Sequence, residues 1–171
     1  MSSSITTKEI ATEKELFVKM VLNAWDTQNS RVTKLLNTLS DDQLMVETAP
    51  GRNRGIYLIG HLITVSDRLL PLLDLGERLY PQFDDIFLTN PDRFVTEIPA
   101  MSELRKCWQV INKKLSDQFN TLLPDDWFAK HTSVSEEDFQ KDPSRNKLNV
   151  IMNRTNHTSN HLGQLNYLVK K

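Results

Sequence analysis

Cysteine is almost absent from these 171 residues. Cys107 stands alone, so no internal disulfide can close and the fold does not depend on an oxidising compartment. Glycine is scarce too, at five residues, and no long run alternates β-branched with polar residues. Both features point away from sheets and towards helices. No apolar run approaches the roughly 20 residues of a membrane span. The opening MSSSITTKEIATEKELF lacks an apolar core of signal-peptide length. Nor does charge of one sign dominate. The 21 Lys and Arg against 22 Asp and Glu leave a formal net charge of −1, whereas a general nucleic-acid binder carries a basic excess. The P-loop, the Rossmann glycine pattern, G-x-S-x-G and H-E-x-x-H are all missing. The expectation is a cytoplasmic, soluble, single domain over residues 1–171, with 1–11 as a flexible N-terminal segment and neither nucleic acid nor membrane as a partner.

What is present is helical periodicity. Four stretches carry it, near 12–39, 54–75, 102–122 and 146–169. The first has Leu16, Phe17, Met20, Val21, Ala24 and Trp25 at steps of three and four. Ser40 and Gln43 have capping-box spacing for a short turn, and APGRNRG then breaks the chain. The second stretch has a stripe of Leu58, Leu62, Val65, Leu69, Leu72 and Leu73; Pro71 should kink it and Gly76 should stop it. The third has Ser102 as N-cap, Glu103 in its first turn, and Leu104, Cys107, Trp108, Ile111, Leu115, Phe119 and Leu122 as its apolar face. The fourth starts at Asp142-Pro143 or at Asn146. Two long connections, 77–100 and the one before the fourth helix, separate these stretches, the second with room for short extended pieces. The pattern predicts an all-α four-helix bundle with two long connections.

The chemistry concentrates in NHTSNHLGQL, residues 156–165. His157 and His161 are four residues apart, about 40° around a helix axis, so both imidazoles point the same way and can share one metal ion. His61 lies beside the apolar stripe of the second helix and should face the interior. Three imidazoles from two helices leave a fourth tetrahedral position open, the pattern of a catalytic rather than a structural site. Gln164, three residues after His161, is placed to hydrogen-bond a ligand or a bound water and is the candidate catalytic residue. His131, in the polar loop AKHTS, reads as solvent-exposed rather than a ligand. Asn153 and Asn160 read equally as polar helix edge or as part of the site. Cys107 reads as a small core residue. Trp25 and Trp108 read as core packing, with walls of a cavity as the alternative. The small residues Thr155, Ser159 and Gly163 recur every four positions and suit a close helix contact, within the bundle or with a second subunit.

A histidine within GIYLIGHLI, followed much later by HTSNHLGQL, resembles the DinB superfamily of DinB/YfiT-like metalloenzymes. Their tail motif is H-x-x-x-H followed by R-G-Q. His157, His161, Gly163 and Gln164 match it, and Leu162 replaces the arginine. The resemblance covers nearly the whole chain. It implies a four-helix bundle, often a homodimer, that holds a divalent metal through His61, His157 and His161. Zinc or nickel leads among the ions that imidazole suits, with iron, copper and manganese behind. It also implies a thiol-dependent S-transferase that takes a low-molecular-weight thiol and a small-molecule electrophile. A metal-dependent hydrolase of a small substrate and a non-enzymatic, stress-associated metal-binding bundle are the alternatives.

Overall fold

The computed structural model describes residues 12–169; the segment 1–11, expected to be flexible, lies outside them. Helix α1 spans Glu13–Thr38 behind a Thr12–Glu15 capping box. The short α2, Asp41–Leu44, starts from the Ser40–Gln43 capping box that the sequence announces. Next come α3, Gly55–Asp67, and α4, Leu69–Leu72. A π-helical turn, Asp85–Thr89, lies in the long connection before α5, Met101–Phe119. A 3₁₀ turn at Asp126–Phe128, α6 at Glu136–Lys141, α7 at Lys147–Leu165 and a final 3₁₀ turn at Asn166–Leu168 complete the order. Among the described residues there is no β-strand, only isolated bridges joining Glu47 to Arg54 and Lys130 to Asn146. The all-α expectation holds. The helical chain divides into seven α-helical segments, of which α1, α3, α5 and α7 are the long ones. No helix among the described residues is long and apolar enough to cross a membrane.

The long helices share one core. Trp25 of α1 meets Phe119 of α5, and the Trp108 indole N–H of α5 donates to Thr33 of α1, so these two helices run antiparallel. Phe17 and Met20 lie beside Met152, and Leu35 beside Leu162, so α1 and α7 run parallel. His61 of α3 faces His157 of α7 across the helix interface.

Several details differ from the sequence reading. The buried face of α1 is Val18, Val21, Trp25, Asn29, Val32, Leu35 and Leu36. Leu16, Phe17 and Met20, expected inside, are 53%, 44% and 59% exposed, because the same turns present Val18 and Val21 to the core instead. The second stretch is interrupted at Arg68, between α3 and α4, as Pro71 leads one to expect, since its nitrogen has no hydrogen to give the Asp67 carbonyl; helix then ends at Leu72 rather than near Leu75. Ser102 is not the N-cap of α5; Ala100 holds that position and makes no side-chain cap, while Met101 is buried. The second connection holds α6 rather than extended pieces, with Ser135 capping it through the Asp138 N–H. Asn146, not Asp142-Pro143, caps α7 through the Asn149 N–H. The three small residues of α7 do not share one environment: Thr155 is buried within the bundle, its hydroxyl bonded to the Ile151 carbonyl, whereas Ser159 and Gly163 are exposed. Trp25 and Trp108 are packed in the core and do not wall the histidine site.

One contact carries the long connection onto α3. The Phe87 ring from the π-helical turn lies against Gly60, where a β-carbon would stand far inside van der Waals distance of the ring. The connection is tied down on both sides of that contact. Asp67, fully buried, accepts from the Arg78 Nε–H at 3.0 Å and from the backbone N–H groups of Leu79 and Tyr80 at 2.7 and 3.0 Å. Arg78 then grips Asp84 with two bonds of 2.7 Å. Further on, the Tyr57 hydroxyl donates to the Asn90 carbonyl at 2.6 Å, and Asp92 receives both the side chain and the backbone N–H of Arg54.

Replacing Gly60 by alanine must therefore move Phe87, at a cost of about 1–3 kcal/mol for overpacking. Gly163 has nothing within 4 Å of its would-be β-carbon, so Gly163→Ala should stabilise α7 by about 0.5–1 kcal/mol. Urea unfolding of the two variants beside the parent measures both. A Gly60→Ala protein as stable as the parent would contradict the packing described.

Candidate metal centre

The structure brings His61, His157 and His161 together, and these are the residues among those described that could share a metal ion. Helical spacing on α7 sets His157 and His161 edge to face, with ring centroids 4.5 Å apart and planes nearly perpendicular. Helix α3 delivers His61 from across the interface, 5.1 Å from each of the other two rings. All three are half-buried, so the cluster lies inside the helix interface yet meets solvent.

The ring nitrogens are oriented from behind. His61 Nδ1 lies 2.9 Å from the Phe87 carbonyl oxygen. A carbonyl can only accept, so Nδ1 carries the proton and Nε2 presents its lone pair to the cluster. His161 Nδ1 lies 2.8 Å from the Gln164 carboxamide oxygen, which fixes the same tautomer. The His157 Nε2 stands 3.2 Å from His61 Nε2 and 3.1 Å from His161 Nε2. It has one proton at most and cannot satisfy two lone pairs. The His157 Nδ1 is buried without a partner.

Three convergent nitrogens with at least two lone pairs aimed at one point form a cation site. A tetrahedral ion with nitrogen ligands at about 2.0–2.1 Å would set those nitrogens about 3.3 Å apart, close to the two separations found. The protonation states agree. Burial pushes the His157 imidazole down to about 4, helped by the positive charges that His161, Arg154 and His61 would carry. Burial also lowers His61; the bond to Phe87 offsets part of this, and His161 and Arg154 add to it. His61 and His157 are thus neutral at pH 7, the form that binds a metal.

Gln164, expected to hydrogen-bond a ligand or a bound water, meets the candidate ligand His161: its amide oxygen accepts from Nδ1 and orients that ring from behind. Asn153 and Asn160 are exposed and take no part in the cluster. His131 lies outside the cluster as expected but is half-buried rather than exposed, with its Nδ1 buried and unpaired. Leu162, where the tail motif departs from R-G-Q, is buried in the core. Cys107 is buried away from the histidines and its thiol is pushed up by burial, so it is no ready nucleophile. Two neighbours of the site were not found from the sequence. Phe87 contributes a backbone carbonyl, which leaves no side-chain signature. Arg154 left a signal in its spacing, three residues before His157 and seven before His161.

A family model described as the DinB superfamily matches residues 24–165, well over half of the chain and all three histidines. No curated protein matches the chain.

Alanine at His61, His157 or His161 should each lower divalent-metal affinity at least tenfold, as loss of one of three ligands requires, whereas His131→Ala should leave it unchanged. Competition against a chromophoric chelator reads both, and undiminished affinity in His61→Ala would remove the cross-helix site. Acid should also weaken the metal-free protein. Its folded state holds His157 neutral to about 4, whereas the unfolded chain binds that proton near 6.5. The stabilisation is complete above about pH 6.5 and is lost as pH falls towards 4. Melting temperatures across that window should drop in the parent and less in His157→Gln; parallel curves would count against the buried neutral imidazole.

Proposed function

The chain belongs to the DinB superfamily, and on that premise we propose that it is a divalent-metal-dependent enzyme that transfers a small thiol to an electrophile. The observation that carries this reading is the set of three convergent Nε2 atoms, two of them locked as lone-pair donors by Phe87 and Gln164. A divalent ion held there by neutral ligands keeps its double charge and supplies an open position that favours the deprotonated form of a thiol or of water. Zinc or nickel fits this imidazole set best.

The chain's own residues do the rest. His61, His157 and His161 hold the ion, and the Phe87 carbonyl and the Gln164 amide keep two of the rings from turning. In the transfer the thiol loses its proton to solvent, its sulfur bonds to the electrophilic carbon, and the leaving group departs with the electrons of the bond it breaks. No protein base is required. That favours thiol transfer over hydrolysis, because no Asp or Glu joins the three histidines among the described residues. The sulfur transferred is not the protein's own, given the burial of Cys107.

The test is a panel of low-molecular-weight thiols against a haloaromatic and an epoxide. Metal-loaded parent should exceed a His157→Ala/His161→Ala double variant by on the order of a hundredfold, the scale of several kcal/mol of charge stabilisation. Equal rates would leave a metal-binding bundle without catalysis, and turnover of an ester or amide in place of the thiol reaction would make the chain a hydrolase.

A further inference from the structure

Arg154 is a cation with no carboxylate partner among the described residues. It is half-buried on α7, and its Nε is buried with no hydrogen-bond partner among them. Taking a guanidinium out of water without a partner is costly, and a packed core has no use for it. Its surroundings make the cost greater. Burial and the neighbouring Arg68 both lower its basicity, and no acidic group acts on it in compensation. Arg68 is already engaged by Asp84, at 3.8 Å. Arg154 is close enough to the histidines to act electrostatically on His61 and His157. Its place on the helix agrees, about 60° from His157 and about 20° from His161 around the axis, on the side facing α3. Arg68 follows His61 by seven residues and Arg154 precedes His161 by seven. The two arginines therefore flank the same end of the centre, on helices that run antiparallel.

We propose that Arg154 is the receptor for a carboxylate carried by the ligand of the metal centre, so that the thiol this enzyme takes is a carboxylate-bearing one. The proposal rests on the thiol reading given above. The guanidinium fork matches a carboxylate with two parallel N–H···O bonds. Arg154 is the cation beside the histidines that has no carboxylate partner among the described residues, whereas Arg68 has Asp84 at 3.8 Å, and one unpaired charge balances a carboxylate better than the double charge of a phosphate. Arg154 lies one to two helical turns from the histidines, about 5–10 Å along the axis. A spacer of two or three carbons between sulfur and carboxylate covers that distance.

The probes are 3-mercaptopropionate and 2-mercaptoethanol, titrated into cobalt(II)-loaded full-length protein while the visible spectrum of the ion is followed. The parent should bind 3-mercaptopropionate at least about tenfold more tightly, the scale of a charged hydrogen-bonded pair. In Arg154→Met that ratio should fall to about one, with 2-mercaptoethanol affinity and helix content unchanged. Arg154→Lys, which keeps the charge and loses the fork, should fall between. A ratio near one in the parent, or a ratio kept in Arg154→Met, overturns the proposal. If neither thiol alters the parent spectrum, the thiol reading fails by itself, and a second titration decides Arg154. Propionate is added to metal-free protein and the Arg154 Nε–H resonance is followed. A saturable shift supports the receptor; no shift overturns it, and tighter binding of inorganic phosphate than of propionate overturns the carboxylate assignment.

Discussion

The metal centre depends on how closely the Phe87 ring can approach the backbone of α3. Only a residue without a β-carbon permits that approach, and Gly60 supplies it immediately before His61. With the ring seated, the Phe87 carbonyl reaches His61 Nδ1, and the direction of the opposite nitrogen follows. The approach is held by polar groups at a distance from the site. Asp67 and Arg78 tie the start of the connection, and Tyr57, Arg54 and Asp92 tie its end. Each of these is a buried or half-buried polar group with its partners in place, and loss of one partner would leave the other unsatisfied. The long connection is thus the outer wall that sets the tautomer of one ligand.

The electrostatics of the centre share a single bias. Burial holds His61 and His157 neutral, and the nearby charges are Arg154 and its neighbour Arg68. No carboxylate enters the cluster. Such a site repels cations from solvent unless three nitrogens bind them together, and once occupied it draws anions strongly. Burial produces both halves of this effect: it keeps His61 and His157 unprotonated, and it leaves the Arg154 Nε without a hydrogen-bond partner among the described residues. The same helix interface thus holds three nitrogens that could share a metal ion and a guanidinium suited to the anionic ligand proposed above.

Much of this was legible in the sequence, for physical reasons that differ by residue. His157 and His161 were legible because helical spacing alone fixes their relative direction. His61 was legible because it stands beside an apolar stripe that must face inwards. The Ser40–Gln43 turn was legible because a capping box is a local device. The exposed face of α1 was not, since Leu16, Phe17 and Met20 share their turns with Val18 and Val21, and apolar spacing alone does not say which of the two sets meets the core. Gln164 was legible in part: spacing placed it near His161 and left open whether it would meet that ring or a bound water, and the oxygen faces the ring's outer nitrogen. The Phe87 carbonyl belongs to a π-helical turn inside a long connection, and no side-chain pattern marks a backbone acceptor. The family resemblance was legible in the same histidines and the glycine-glutamine pair after them, and Leu162, where the tail motif has arginine, is buried in the core away from the cluster's nitrogens.

The most direct test of a three-histidine centre is X-ray absorption at the zinc edge on protein loaded with one equivalent of zinc. Three imidazole nitrogens at about 2.0–2.1 Å and one further light ligand are predicted, with outer-shell scattering from three imidazole rings that falls to two in His61→Ala. A sulfur ligand from Cys107, or a parent spectrum with two imidazoles that is unchanged in His61→Ala, would contradict a centre built across α3 and α7.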